Sequence, residues 1–263
     1  MNNIKMVVTD LDGTLLNNNH NISDYSKEVL QSLEKNGIEI VIATGRHFWG
    51  MKHYKDFLEN NNDSIVFNGA VVANNDGDFL YYKPIDDSTS RKVIDIAKKY
   101  NVSMHFYQRD KYIALDDDDY SREYTKKVNI KNIIYGIDSL DSFEFTKMIF
   151  MGDRNLLEKL QIEIRESVKV HTCFSQTNYL EILSTNINKF TALEYICTQK
   201  NISFENIISF GDNYNDIELL SNVGVGVAVY NACEDVKKCA KYTTSFNNDD
   251  DGVAKFLVDF FKF

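Results

Sequence analysis

Near its N-terminus the chain reads Met6-Val7-Val8-Thr9-Asp10-Leu11-Asp12-Gly13-Thr14-Leu15-Leu16. The apolar, mostly branched run from Ile4 to Val8 has the pattern of a buried strand. It ends in two carboxylates, and an unpaired charge at the edge of a core is costly. Asp10 and Asp12 are two apart, so in extended chain their side chains point to one side. Gly13 permits a sharp turn with close backbone approach. Two carboxylates at a strand end make half of a metal site with a nucleophile to hand. An acidic strand-to-loop turn uses the same residue types, and the rest of the chain decides between the two.

Two further stretches have the same form. Ile38 to Ala43 is apolar enough to be buried on both faces, and it ends in Thr44-Gly45-Arg46. A Thr hydroxyl and a Gly N–H at a helix start suit a phosphate, although, taken alone, Thr44 is more often a simple helix cap. Arg46 could pair with an anion or merely flank the helix start, and it receives no role. Asn206 to Phe210 ends in Gly211-Asp212-Asn213-Tyr214-Asn215-Asp216, and Lys189 opens a helix ahead of it. If these strands are neighbours in a parallel sheet, their polar groups meet at one edge, where open α/β sheets bind ligands. Four carboxylates at one spot repel. A hard dication removes that problem, and all-oxygen ligation suits Mg²⁺. Such an ion beside a Lys and a Thr is a phosphate-binding arrangement, and phosphoryl transfer mostly needs positioning and charge neutralisation.

The elements that must hold these groups can be read in order. Ser23 caps a helix to about Asn36, Gly37 ends it, and a second helix is expected from about Phe48 to Glu59. Strand–helix–strand–helix predicts a parallel sheet. Ser64–Phe67 and Val71–Ala73 flank Asn68-Gly69, which signals a tight turn, though a strand could continue through the glycine. Phe79–Tyr82 is a further strand. From Pro84 the rhythm changes to a helix reaching Tyr100, aromatic-rich strands at 102–107 and 112–115, a strand at 144–151, a helix at 155–166 and strands at 169–174 and 179–183. Asp116–Asp119 lacks the alternation of an EF-hand loop and reads as a solvated loop. Phe106, Tyr107 and Tyr112 could stack on a sugar or a base, but such aromatics are more often core residues, and none is assigned to substrate. Residues 84–185 are therefore expected to form an inserted α+β domain between core segments 1–83 and 186–263. After it come the helix from Lys189, a strand at 206–210, a helix from Ile217, a strand at 224–229, a helix at 232–240, a short strand at 242–244 and a closing helix, Gly252–Phe261.

Composition narrows the function. The 263 residues carry a formal charge of −10, which argues against a protein that binds nucleic-acid backbones. No apolar run is long enough to span a bilayer, and no charged-then-apolar leader suggests export. Cys173, Cys197, Cys233 and Cys239 lack C-x-x-C spacing and read as reduced residues. The expectation is a cytoplasmic enzyme, a monomer or weak dimer, that meets a small anionic ligand through a local site or a bound cation.

Asp10–Thr14, Thr44-Gly45, Lys189 and Gly211-Asp212-x-x-Asn215-Asp216 resemble, in order, the four motifs of the haloacid dehalogenase (HAD) superfamily. DLDGTLL, ATGR, Asn68-Gly69-Ala70, Asn231-Ala232 and Asp251-Gly252-Val253-Ala254 look like its Cof-like branch, the type IIB phosphatases. The resemblance covers nearly all of the core and, by position and length, the insert. It implies an α/β fold with a doubly wound, Rossmann-like parallel sheet and an inserted α+β cap that can exclude water and contact the substrate beyond its phosphate. Asp10 would be the nucleophile that forms an aspartyl-phosphate. Asp12 would be the general acid and then the base. Thr44 and Lys189 would hold phosphoryl oxygens, Leu11 and Gly45 would offer N–H groups, and Asn215 would lie close to the phosphate. Mg²⁺ would be bound by Asp10, the backbone carbonyl of Asp12 and Asp212, with Asp216 supporting its water shell. The substrate would be a small phosphorylated metabolite, possibly a sugar phosphate. Phe190 departs from the Lys-Gly often found at the third motif, and Tyr214 occupies a variable position. A phosphomutase of the same superfamily, a receiver-like signalling domain and a catalytically silent phospho-ligand binder are the alternatives.

Overall fold

The computed structural model describes residues 3–60, 62–109, 111–128 and 130–262. The first stretch holds β1 (Met6–Thr9), α1 (Asp24–Lys35), β2 (Glu39–Ala43), α2 (Phe48–Met51), β3 (Ser64–Val66), β4 (Val71–Ala73) and β5 (Phe79–Tyr82). The second holds α3 (Asp87–Ala97), β6 (Ser103–Gln108), β7 (Lys111–Ala114), α4 (Asp119–Lys127), β8 (Ile133–Tyr135), β9 (Lys147–Met151), α5 (Arg154–Ser167), β10 (His171–Gln176) and β11 (Tyr179–Leu183). The third holds α6 (Lys189–Lys200), β12 (Ile207–Gly211), α7 (Ile217–Asn222), β13 (Val225–Ala228), α8 (Glu234–Cys239), β14 (Tyr242–Thr243) and α9 (Gly252–Phe261). The chain divides into two compact units, Met1–Tyr81 with Asn188–Phe263, and Tyr82–Ile187.

The first unit is built on an eight-stranded sheet of order β14-β13-β12-β1-β2-β3-β4-β5. From β14 to β3 the neighbours run parallel, and β3–β4 is antiparallel. Every residue of β1 is buried, as a strand covered on both faces requires. One face of the sheet, including Met6, Val8, Val41 and Ile207, packs against Ala192, Leu193 and Ile196 of α6. Ser23 accepts from the Ser26 N–H at the start of α1, and Asn36 ends that helix.

The helix expected over Phe48–Glu59 ends after one turn: Phe48–Met51 is α-helical and Lys52–Tyr54 is a 3₁₀ turn. The chain beyond it is held by α1 instead. The Glu34 carboxylate accepts from the N–H groups of Glu59 (2.7 Å) and Asn60 (2.9 Å), and the Gln31 amide donates to Phe57 O (2.7 Å). Lys55, buried, donates to Asn62 O and to Ser64 Oγ. Between β3 and β4 the chain turns through Phe67–Gly69, with Asn68 left-handed at φ 56°, which settles the Asn68-Gly69 step as a turn.

The second unit has a six-stranded sheet of order β10-β11-β9-β6-β7-β8, antiparallel except for β7–β8. Met104, Phe106, Met148, Phe150, Leu180 and Ile182 share a core with α3 and α5. Phe106, Tyr107 and Tyr112 are all buried, and the two tyrosines bond to Tyr124 and His105. Asp116–Asp119 is not wholly loop. Asp118 forms a capping box with Ser121 and starts α4, a helix with few apolar positions and so no visible periodicity.

His105 is fully buried, with Tyr112 Oη 2.6 Å from Nδ1 and Ser103 Oγ 2.7 Å from Nε2. Burial, against the pull of Asp118, lowers its pKa to about 4. The unfolded chain takes up this proton near the ordinary value of about 6.5. The stability that neutral His105 contributes is therefore present above about pH 6.5 and lost as pH falls through about 4. Urea melts should show the gap between wild type and His105→Gln narrowing between pH 7 and pH 4. A constant gap would mean that the imidazole titrates alike in both states.

Candidate active site

Sheet register assembles the site. Thr9 lies beside Phe210 of β12 and Ile42 of β2, so the residues after these strands emerge together: Asp10, Asp212 and Thr44. The Asp10 N–H donates to Phe210 O (3.1 Å), and the Thr44 N–H to Ile65 O (2.8 Å). Lys189 is the first residue of α6, whose N-terminus is fixed by a reciprocal pair of bonds between Asn188 and Thr191. A cation is disfavoured at a helix N-terminus, and this one is completely buried. Two carboxylates hold it: Lys189 Nζ donates to Asp10 Oδ1 and to Asp216 Oδ1, both at 2.6 Å. The second oxygen of Asp216 accepts from the N–H groups of Asp212 (3.1 Å) and Asn213 (3.2 Å).

Asp10, Asp212 and Asp216 each offer a carboxylate oxygen, all within 4.8 Å of one another. Three carboxylates face one ammonium, an excess of two negative charges when all are ionised. Burial pushes Asp10 upward, against the pull of Lys189 and with the help of Asp216 and Asp212. Burial likewise raises Asp212 to about 6, with Thr14 opposing and Asp216 adding to it. Lys189 is raised although burial opposes it, because Asp10 and Asp216 favour the ammonium. An all-oxygen set short of two positive charges fits a hard dication.

The strand ends at Thr9, so strand alternation does not direct the side chain of Asp12 as expected for extended chain. Asp10 is buried at Lys189, whereas Asp12 sits in the following turn with its carboxylate half exposed and gripped by Arg46. Among the predicted metal residues, Asp10, Asp212 and Asp216 bring carboxylates together, and the Asp12 carboxylate is not in that group. Thr44 is buried and its hydroxyl accepts from the Arg46 N–H (3.2 Å). Gly45 lies against the Asn68 amide, and Asn215 Nδ2 donates to Asn68 Oδ1 (2.9 Å). Leu11 points its side chain into the core, and its carbonyl accepts from the Thr14 and Leu16 N–H groups.

Residues 7–257 match the family described as haloacid dehalogenase-like hydrolases. The chain belongs to that family. A protein named HMP-PP phosphatase from Citrobacter koseri is 29% identical over 237 residues, covering 87% of this chain and 85% of its own. A solved structure from Thermotoga maritima is 27% identical with a TM-score of 0.87, covering 97% of each chain. A haloacid dehalogenase-like hydrolase from Bacteroides thetaiotaomicron is 27% identical, with a TM-score of 0.86 over 98% of this chain and 99% of its own.

In this HAD-like chain the substitution after Lys189 leaves the helix start intact, and the Phe190 ring packs 5.0 Å from that of Phe204. Three residues at the site received no role from the sequence. Thr14 Oγ1 donates to Asp212 Oδ1 (2.8 Å). Asn68 joins Gly45 to Asn215, and Arg46 grips Asp12. Thr14 and Asn68 lie within the motifs quoted for the resemblance, and a polar residue that such a turn places beside carboxylates is the signal that was there to read.

Two glycines combine a left-handed backbone with an approach under 3.0 Å. At Gly13 (φ +80°) a Cβ would lie 2.5 Å from Asp212 Oδ2, and at Gly69 (φ +99°) 2.1 Å from Asn188 O. Gly69 thereby lets the turn after β3 press on the residue that positions Lys189. Gly69→Ala is expected to cost about 1–3 kcal/mol through backbone strain, read as a lower midpoint in denaturant melts. An unchanged midpoint would show that the α6 N-terminus yields freely.

Proposed function

We propose that this chain is a Mg²⁺-dependent phosphatase of small phosphorylated metabolites, acting through an aspartyl-phosphate on Asp10. The observation that carries this reading is the pair of buried carboxylates, Asp10 and Asp216, on the Lys189 ammonium, with the half-buried Asp212 beside them. It is supported by membership of the HAD-like hydrolases and by the phosphatase name of the Citrobacter relative. Mg²⁺ would be held by Asp10, the Asp12 carbonyl and Asp212, with Asp216 in support, and would neutralise the charge of the transferring phosphoryl group.

A carboxylate oxygen of Asp10 attacks phosphorus, and the bond to the leaving oxygen breaks as Asp12 gives that oxygen a proton. Asp12 then takes a proton from water as the water oxygen attacks phosphorus. The bond to Asp10 breaks, and the carboxylate and inorganic phosphate are restored. Lys189 keeps Asp10 in place and, with Thr44, Gly45 and Asn215, faces the phosphoryl oxygens. Leu11 would contribute through its backbone N–H. Among the described residues no helix is long and apolar enough to cross a membrane. The four cysteines are free, which supports a cytoplasmic setting.

The test is release of inorganic phosphate from a panel of phosphorylated metabolites and 4-nitrophenyl phosphate. Wild type with Mg²⁺ should turn over, EDTA should stop it, and Asp10→Asn should lose roughly 10³-fold or more. Mg²⁺ should also raise the wild-type melting temperature through binding to the folded state, and Asp212→Asn should abolish that rise. Full turnover by Asp10→Asn would sink the reading. Phosphate passed to a second hydroxyl rather than to water would turn it into a mutase.

A further inference from the structure

The Asp12 carboxylate is held by a fork. Arg46 Nε donates to Oδ2 at 2.8 Å and Nη2 to Oδ1 at 2.6 Å. This two-bond geometry fixes the plane of a carboxylate as well as its distance, which a lysine cannot do. The guanidinium is itself held: Nη1 donates to Gly50 O (3.3 Å), and its Cζ lies 4.8 Å from the centre of the Tyr54 ring. The Arg46 main chain is tied at both ends, its N–H to Thr44 Oγ1 (3.2 Å) and its carbonyl to the Phe67 N–H (3.0 Å). His20 Nδ1 stands 3.7 Å from Asp12 Oδ1, too far for a hydrogen bond.

An ion pair this exposed adds little to stability. The Arg46 side chain is 26% and that of Asp12 47% exposed, so the fork's value lies in orientation. The short α2 and the 3₁₀ turn after it supply Gly50 O and the Tyr54 ring. The segment that fails to form a long helix is thus the mount of the arginine.

We infer that Arg46 is the positioning residue for proton transfer by Asp12, aiming its carboxylate at the leaving oxygen. The inference rests on the phosphatase reading above. It predicts a dependence on the leaving group. An alkoxide needs the proton as its bond to phosphorus breaks, whereas 4-nitrophenolate departs without one. Well-placed acid–base catalysis is worth roughly 10²–10⁴-fold, so a misaimed Asp12 should forfeit much of that in kcat/KM on alkyl esters alone, while the later hydrolysis of phospho-Asp10, where Asp12 is the base, slows equally after either ester.

The experiment measures kcat and KM of wild type, Arg46→Ala, Arg46→Lys, Asp12→Asn and the Arg46→Ala/Asp12→Asn double variant. The substrates are 4-nitrophenyl phosphate and the alkyl phosphate that wild type turns over fastest. Arg46→Ala is expected to lower kcat/KM on the alkyl ester by about 10²-fold and on 4-nitrophenyl phosphate by less than about 10-fold. On the alkyl ester the loss should fall on kcat, with KM little changed, and Arg46→Lys should lie between. In the Asp12→Asn background the arginine change should do nothing further. An equal loss on both esters with a raised KM would overturn the inference and make Arg46 a contact to the substrate phosphate. Additivity with Asp12→Asn would overturn it too. If Arg46→Ala does not fold, Arg46→Lys alone decides by the same leaving-group ratio. If wild type hydrolyses neither ester, the phosphatase reading falls instead, so the two failures are distinct.

Discussion

One buried ammonium sets the terms for the first unit. Lys189 has no access to water, and its charge is tolerable only because Asp10 and Asp216 each approach it at 2.6 Å. Removing one partner of such a contact leaves an uncompensated charge in the interior, which is far more costly than never having built the pair. The consequence runs outward. Asp10 must leave β1 at one fixed place, α6 must begin at one fixed residue, and the turn after β12 must bring Asp216 back to both. The sheet register, the Asn188–Thr191 cap and the tight turn at Gly69 all serve that single convergence.

The set is deliberately unbalanced. A network with equal charges would be satisfied and inert, whereas this one is short of positive charge by two when ionised. Asp212 is raised first by its burial, and the uncompensated charge of Asp216 adds to it. Electrostatic frustration confined to one edge of an otherwise consistent α/β unit is what functional sites look like when the rest of the chain obeys local rules. Asp12 stands apart from the convergence. Its carboxylate is half exposed and oriented by an arginine, a setting that would suit the proton transfer proposed for it.

Much of this was legible before any coordinates. Continuous apolar runs marked β1, β2 and β12, and polar residues at the ends of all three marked the edge where they converge, a recurrence that a single acidic turn would not explain. Asp10, Asp212, Asp216 and Lys189 could therefore be named from type and spacing. What could not be read were contacts between residues distant in the chain. The helix after Phe48 gives way to a 3₁₀ turn, and the chain beyond it is tied to Glu34, 25 residues before Glu59. Helix α4 was hidden for the opposite reason. Its start is a purely local capping box at Asp118 and Ser121, but it buries too few apolar side chains to show a period. The grip of Arg46 on Asp12 depends on the first of these surprises, since a longer helix would carry Gly50 and Tyr54 elsewhere.

The strand order has a consequence in time. β1 is central, with β2 on one side and β12 on the other, and more than a hundred residues of another unit are threaded between β5 and α6. A chain emerging from the ribosome holds β1 with only half its neighbours until residue 211 has followed; Lys189 arrives only after the inserted unit, and Asp216 later still. Long-range pairing of this kind is slow to form because loop closure precedes its reward, and domains tend to fold as units as they are made. The inserted unit, continuous in sequence, is complete while the unit that encloses it is still open. Nascent chains thus carry an unneutralised Asp10 at an unfinished sheet edge, and the last third of synthesis delivers both the missing strand and the cation that makes the edge tolerable.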